Sequence, residues 1–118
     1  MRFLTMIKMS EQAGPPPAAL LEAMGKEIEQ GFSSGTLVDT GGLAPSAAGG
    51  VRIRRSGGRT TVVDGPFTEA RELVGGYAIL RVDSREDAVE AARRIVKLHE
   101  DHWPGWEGES EVRQIVEG

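Results

Sequence analysis

One aspartate of this chain stands on a glycine-proline corner and another on a strand that ends in two glycines, and a carboxylate fixed in a cleft can take up or return a proton. Asp64 opens the run Asp64-Gly65-Pro66-Phe67, and Asp39 precedes Thr40-Gly41-Gly42. Gly tolerates positive φ and Pro fixes φ, so Asp64 sits on a stiff corner with an aromatic ring beside it. A carboxylate needs burial or a neighbouring like charge before its pKa approaches neutrality. Phe67 could supply an apolar wall, whereas bonding of Asp64 to backbone N–H groups of the turn would push its pKa the other way. Asp64 is therefore read either as a turn-former or as an acid/base. Asp39 is read either as a solvent-facing strand residue or as a second carboxylate in the same cleft.

Other side chains could bind rather than react. Arg52 and Arg54 alternate with Val51 and Ile53, so both arginines share one face of a strand. An exposed polar face accounts for that, and so does forked hydrogen bonding to an anionic ligand. Arg71 lies between Glu69 and Glu72, as a local ion pair or as part of a ligand site. His99 and His102 are three apart, which can bring two imidazoles to one helical face. Pro104 follows closely, no third ligand is evident, and no metal is expected. Trp103 and Trp106 flank Pro104-Gly105 and read as packing or as the wall of a pocket. The Gly-rich stretches match neither a phosphate loop nor a dinucleotide fingerprint, and no serine has a His–Asp constellation. No cofactor is expected.

The elements that must hold these residues follow from periodicity. Residues 2–9 alternate imperfectly, as an initial strand. Pro15-Pro16-Pro17 is a rigid entry to a helix in which Leu20, Leu21, Met24, Ile28 and Phe32 recur at helical spacing, with Gly35 as its C-terminal cap. Gly25 and Gly31 weaken that helix, and Gly25, beside the apolar stripe, is placed to allow close backbone packing. Thr36 to Leu43 is a short strand. Val51–Arg54 and Arg59–Val63 flank Ser56-Gly57-Gly58 as a hairpin. Leu73 to Val82 is apolar on both faces, as for a strand covered on each side. Ser84 can cap a second helix whose buried face runs through Ala88, Val89, Ala92, Ile95, Val96 and His99. Glu111 to Val116 alternates as a last strand.

The order is β-α-β, a hairpin, then β-α-β, which makes the fold class α+β: a ferredoxin-like split unit with an inserted β-hairpin. A length of 118 residues suits one domain, 1–118, with a single core. Two helices cover one face of such a sheet. The apolar second face of residues 73–82 then calls for a second copy, so a homodimer is expected. A formal charge of −4 gives no basic patch for nucleic acid. The first residues lack the apolar core of a signal peptide, no run is long enough for a membrane span, and cysteine is absent. A cytoplasmic protein is expected.

The placed residues also resemble a known family. Gly35 through Ser46, the run Asp64-Gly65-Pro66-Phe67-Thr68-Glu69-Ala70-Arg71-Glu72, Gly75-Gly76-Tyr77 and Glu111-Val112-Arg113 are similar to DGPF-type proteins of the YCII-related group. The resemblance spans nearly the whole chain. It implies a dimeric α+β barrel and a functional link to an extracytoplasmic-function sigma factor; read from the residues themselves, Arg52, Arg54, Phe67, Arg71, Glu72 and Tyr77 are the candidate ligand-binding set. For YCII relatives it implies a His–Asp pair, the His on the first helix eleven residues before the glycine that opens the next strand. Counting back from Gly35 reaches Met24, which cannot take a proton, so that mechanism does not transfer intact. Two roles remain: a dimeric ligand-binding or regulatory module, and a cofactor-free enzyme using Asp39 and Asp64 as acid/base between sheet and helices. A cofactor-free oxygenase, known elsewhere among dimeric α+β barrels, is an analogy of fold alone.

Overall fold

The computed structural model describes residues 1–117. Among these, β1 (Arg2–Met9) lies inside a four-stranded antiparallel sheet, and the chain arranges α1 (Ala18–Ser34), β2 (Leu37–Gly42), β3 (Val51–Ser56), β4 (Arg59–Asp64), β5 (Leu73–Arg81), α2 (Arg85–His102) and β6 (Gly108–Gln114) around it. The sheet order is β2-β5-β1-β6, the α+β arrangement of a ferredoxin-like fold; β3 and β4 form a separate two-stranded sheet.

Local chemistry explains the boundaries. Pro17 stands at the N-cap of α1 and Gly35 at its C-cap, where the Gly35 N–H donates to the Phe32 carbonyl. The Ser84 hydroxyl accepts from the Asp87 N–H at the start of α2, and Glu86 and Asp87 place negative charge in its first turn. In the hairpin turn Gly57 and Gly58 have φ of 58° and 75°, the pair of left-handed conformations a tight two-residue connection demands. Two expectations need correction. The last strand begins at Gly108, earlier than the alternation from Glu111 suggests, because Gly108 already pairs with Met9. The close helix contact falls at Gly31, where an added Cβ would stand 2.9 Å from the Leu37 Cβ, whereas a Cβ added at Gly25 would meet nothing within 4 Å beyond its own stretch of helix.

Cross-strand rows show what fills the space under the helices. Leu37, Leu80 and Phe3 are register partners and pack with Ala88 of α2 as the core. The next row is Thr40, Ala78 and Thr5, and the one after is Gly42, Gly76 and Ile7. Side chains of alternate residues share a face. One row of large residues is thus followed by two rows of mostly small ones. α1 packs against α2 and β2 rather than down onto β1 and β5, and Leu20 is its one buried residue. A space opens between α1 and the small-residue rows.

The opposite face of the sheet carries Leu4, Met6, Tyr77 and Ile79, all half-buried, with no helix over them among the described residues. Asp39 and Gly41 share this face, since they pair with Ile79 and Tyr77. The Lys8 ammonium donates to Glu111 Oε1 at 3.2 Å across the β1–β6 ladder of the same face. Among the described residues no helix is long and apolar enough to cross a membrane.

Candidate functional site

The space beneath α1 is a cleft of about 1190 Å³, somewhat above the roughly 300–1,000 Å³ of common small-molecule sites. Its walls are Leu20, Met24 and Ile28 from α1 and Ala92, Ile95 and His99 from α2. Its floor includes Thr5, Ile7 and Ala78 from the small-residue rows. Trp103 also lines it. Of its charged lining residues, Arg94 and Glu27 pair with each other at 3.6 Å, and Glu11 accepts from Ser46. The lining is therefore apolar, with a few polar atoms set into it.

His99 is the most constrained of these. It is 7 % exposed, and its Nδ1 lies 2.8 Å from the Ile95 carbonyl oxygen. A carbonyl only accepts, so in the neutral ring the proton sits on Nδ1 and Nε2 carries the lone pair. The Trp103 ring stacks at 6.4 Å and 21°, and the Trp106 ring tilts against it at 4.7 Å and 45°. Burial lowers the His99 pKa from its ordinary 6.5, outweighing the opposing hydrogen bond to Ile95. The stripe Ala88–Ala92–His99 marked this residue in sequence as buried. That it faces a void was not readable, because the void depends on which small residues align across the sheet.

The DGPF corner is built elsewhere. Asp64 ends β4, is exposed, and its carboxylate accepts no hydrogen bond among the described residues. Gly65-Pro66 is a cis peptide. The corner is held by Ser46, a residue sequence reasoning did not single out. Ser46 is 7 % exposed; its hydroxyl donates to Glu11 Oε2 at 2.6 Å and accepts from the Phe67 N–H at 3.0 Å. The Ser46 N–H donates to Glu11 Oε1, and the Gly65 N–H to the Gly50 carbonyl at 2.7 Å. Glu11 lies in a single 3-10 turn, Glu11–Ala13, between β1 and α1. No local pattern could have joined residues 35 apart.

Arg52 crosses from the hairpin to this corner. Its guanidinium lies 3.9 Å from the centroid of the Phe67 ring and pairs with Glu69. A backbone N–H and Arg52 hold the Glu69 carboxylate below its ordinary range. Arg54 shares the strand face of Arg52 but has no such partner among the described residues. Arg71 and Glu72 line a shallow dent of about 320 Å³ with Ser10, Glu107 and Glu109, away from the Phe67 ring. Asp39 accepts from the Thr40 N–H at 2.8 Å through Oδ1 and from the Tyr77 hydroxyl at 3.3 Å through Oδ2, on the helix-free face. The structure thus joins Arg52 to Phe67 and Asp39 to Tyr77, and it leaves Asp39 and Asp64 on separate sheets. Among the described residues no group of three or more His, Asp or Glu stands together as a metal site would require.

The comparison with curated proteins gave no match. A family model, the YCII-related domain, matches residues 1–116. That span takes in the four-stranded sheet, both helices and the cleft, and on it the chain belongs to the YCII-related family.

Proposed function

We propose that this chain is a small cytoplasmic binding module of the DGPF type, which takes an apolar small molecule into the cleft beneath α1 and works as a homodimer. The observation that carries the reading is the cleft itself: α1 stands over two rows of small residues, and the space is walled by aliphatic side chains. Apolar clefts with a few placed polar atoms are the common form of small-molecule sites. The homodimer draws support from the sheet's other face. Leu4, Met6, Tyr77 and Ile79 form an uncovered apolar patch edged by Lys8, Glu111 and Asp39. Two such patches related by a two-fold axis would bury the apolar centre and set opposite charges against each other. A regulatory role beside a sigma factor has its support in the Asp64–Glu72 run.

Acid/base chemistry at Asp39 and Asp64 is the weaker reading. Both carboxylates are exposed and neither lines the cleft.

Binding is tested with Nile red, an apolar dye whose emission rises and shifts to the blue in dry surroundings. The wild-type chain is expected to bind it. Met24→Trp, which fills the cleft from α1, is expected to weaken binding about tenfold, or ~1.4 kcal/mol, with an unchanged circular dichroism spectrum. Equal binding by the folded variant would place the dye outside the cleft and remove the basis of the proposal.

A further inference from the structure

We infer that the cleft selects apolar molecules bearing one hydrogen-bond donor, an alcohol or a phenol, and that His99 Nε2 is the atom that receives it. The inference rests on the reading of the cleft as a binding site and adds the class of ligand. Nδ1 is committed to the Ile95 carbonyl, which leaves Nε2 as an acceptor. Nε2 has no protein partner among the described residues, although His99 is more than nine-tenths buried and lines the cleft. Nor is it walled off: the one fully enclosed side-chain polar atom without a partner, among the described residues, is Trp106 Nε1. The two Trp rings fix the plane of the imidazole, so its lone pair has a set direction.

A second polar group in the cleft agrees with this. Thr5 is 9 % exposed, lies on the floor, and its hydroxyl has no partner among the described residues. A hydroxyl can donate or accept, so Thr5 can answer the oxygen of a ligand whose proton goes to His99. Carboxylic acids fit less well. The imidazole is held neutral by burial, and the cation at the edge, Arg94, already faces Glu27. A purely apolar guest would cover Nε2 and leave a buried acceptor unpaired, which costs free energy. A guest with an O–H removes that cost.

The test compares two probes of nearly equal size, 2-naphthol and 2-methoxynaphthalene, titrated into the full chain at pH 7.5. Wild type is expected to bind 2-naphthol about tenfold more tightly, the effect of one buried hydrogen bond. His99→Phe keeps an aromatic ring against the two tryptophans, and is expected to bind both probes about equally, at the wild-type affinity for 2-methoxynaphthalene. In wild-type protein labelled with nitrogen-15 at histidine, the Nε2 resonance of His99 is expected to shift with 2-naphthol and not with 2-methoxynaphthalene. That readout stands even if His99→Phe does not fold. Equal binding of the two probes by wild type, or a preference that survives in His99→Phe, overturns the role of His99 while leaving the cleft reading in place. Binding of neither probe overturns the cleft reading, and this inference with it.

Discussion

His99 packs beside two tryptophans with one nitrogen committed to the backbone, and this sets how the protein meets acid. Its folded-state pKa is lowered by burial, so the unfolded chain takes up a proton first as the pH falls. The stability that neutral His99 contributes is full above its ordinary 6.5, and it is lost as the pH drops from there towards the lowered folded value. Glu111 and Glu117, lowered by hydrogen bonds to Lys8 and to Arg2, act in the same direction, but only as the pH falls through and below their ordinary 4.5. The window from pH 7 to 5.5 therefore belongs to His99 rather than to these carboxylates. Thermal melts across it should show a falling Tm in wild type and a flatter profile in His99→Gln. Parallel profiles would assign the acid sensitivity to other groups. The helical face that includes His99 was visible in sequence as an apolar stripe. Its use as a cleft wall was not, because Gly42, Gly76, Ala78 and Thr5 line up only once the strand register is known.

Three segments distant in sequence meet at the DGPF corner: the turn after β1, the loop after β2 and the end of β4. Ser46 joins them through Glu11 and the Phe67 N–H. Truncating its hydroxyl leaves the Phe67 N–H without its acceptor and removes a hydrogen bond to the Glu11 carboxylate. Ser46→Ala should therefore destabilise the fold by ~2 kcal/mol in urea titrations. Asp64→Asn, at an exposed carboxylate with no partner among the described residues, should stay within about 0.5 kcal/mol of wild type. The reverse order would return to Asp64 the structural role that its Gly-Pro context suggests. The stiffness of this corner was legible, since Gly and Pro declare it. The residue that anchors it was not: Ser46 closes the family-like run from Gly35, but nothing in that run points to an acceptor 35 positions away. The hairpin was equally legible from Ser56-Gly57-Gly58. Its attachment was not, because that depends on the Arg52 guanidinium reaching the Phe67 ring in three dimensions.

At the scale of the whole molecule, the two faces of one sheet have different fates. One is roofed by helices that leave a cleft; the other is bare. The molecule is thin, 45 × 40 × 19 Å, and among the described residues six hydrophobic side chains are buried: Phe3, Leu20, Leu37, Leu80, Ala88 and Ala92. That is a small core for 118 residues, and a chain of this size needs most of its apolar surface covered to be stable. A partner on the bare face would enlarge the core and leave the cleft, on the other side, free for ligand. If the partner instead sat over α1, the cleft would be an interface and not a site. Light scattering on the purified chain, beside its Ile79→Glu variant, decides this most directly. The account predicts a mass twice the 12.7 kDa of one chain for wild type, and a single-chain mass for the variant, in which carboxylates would face each other across the two-fold axis. A wild-type mass of one chain, or a dimer that Ile79→Glu leaves intact, would contradict it.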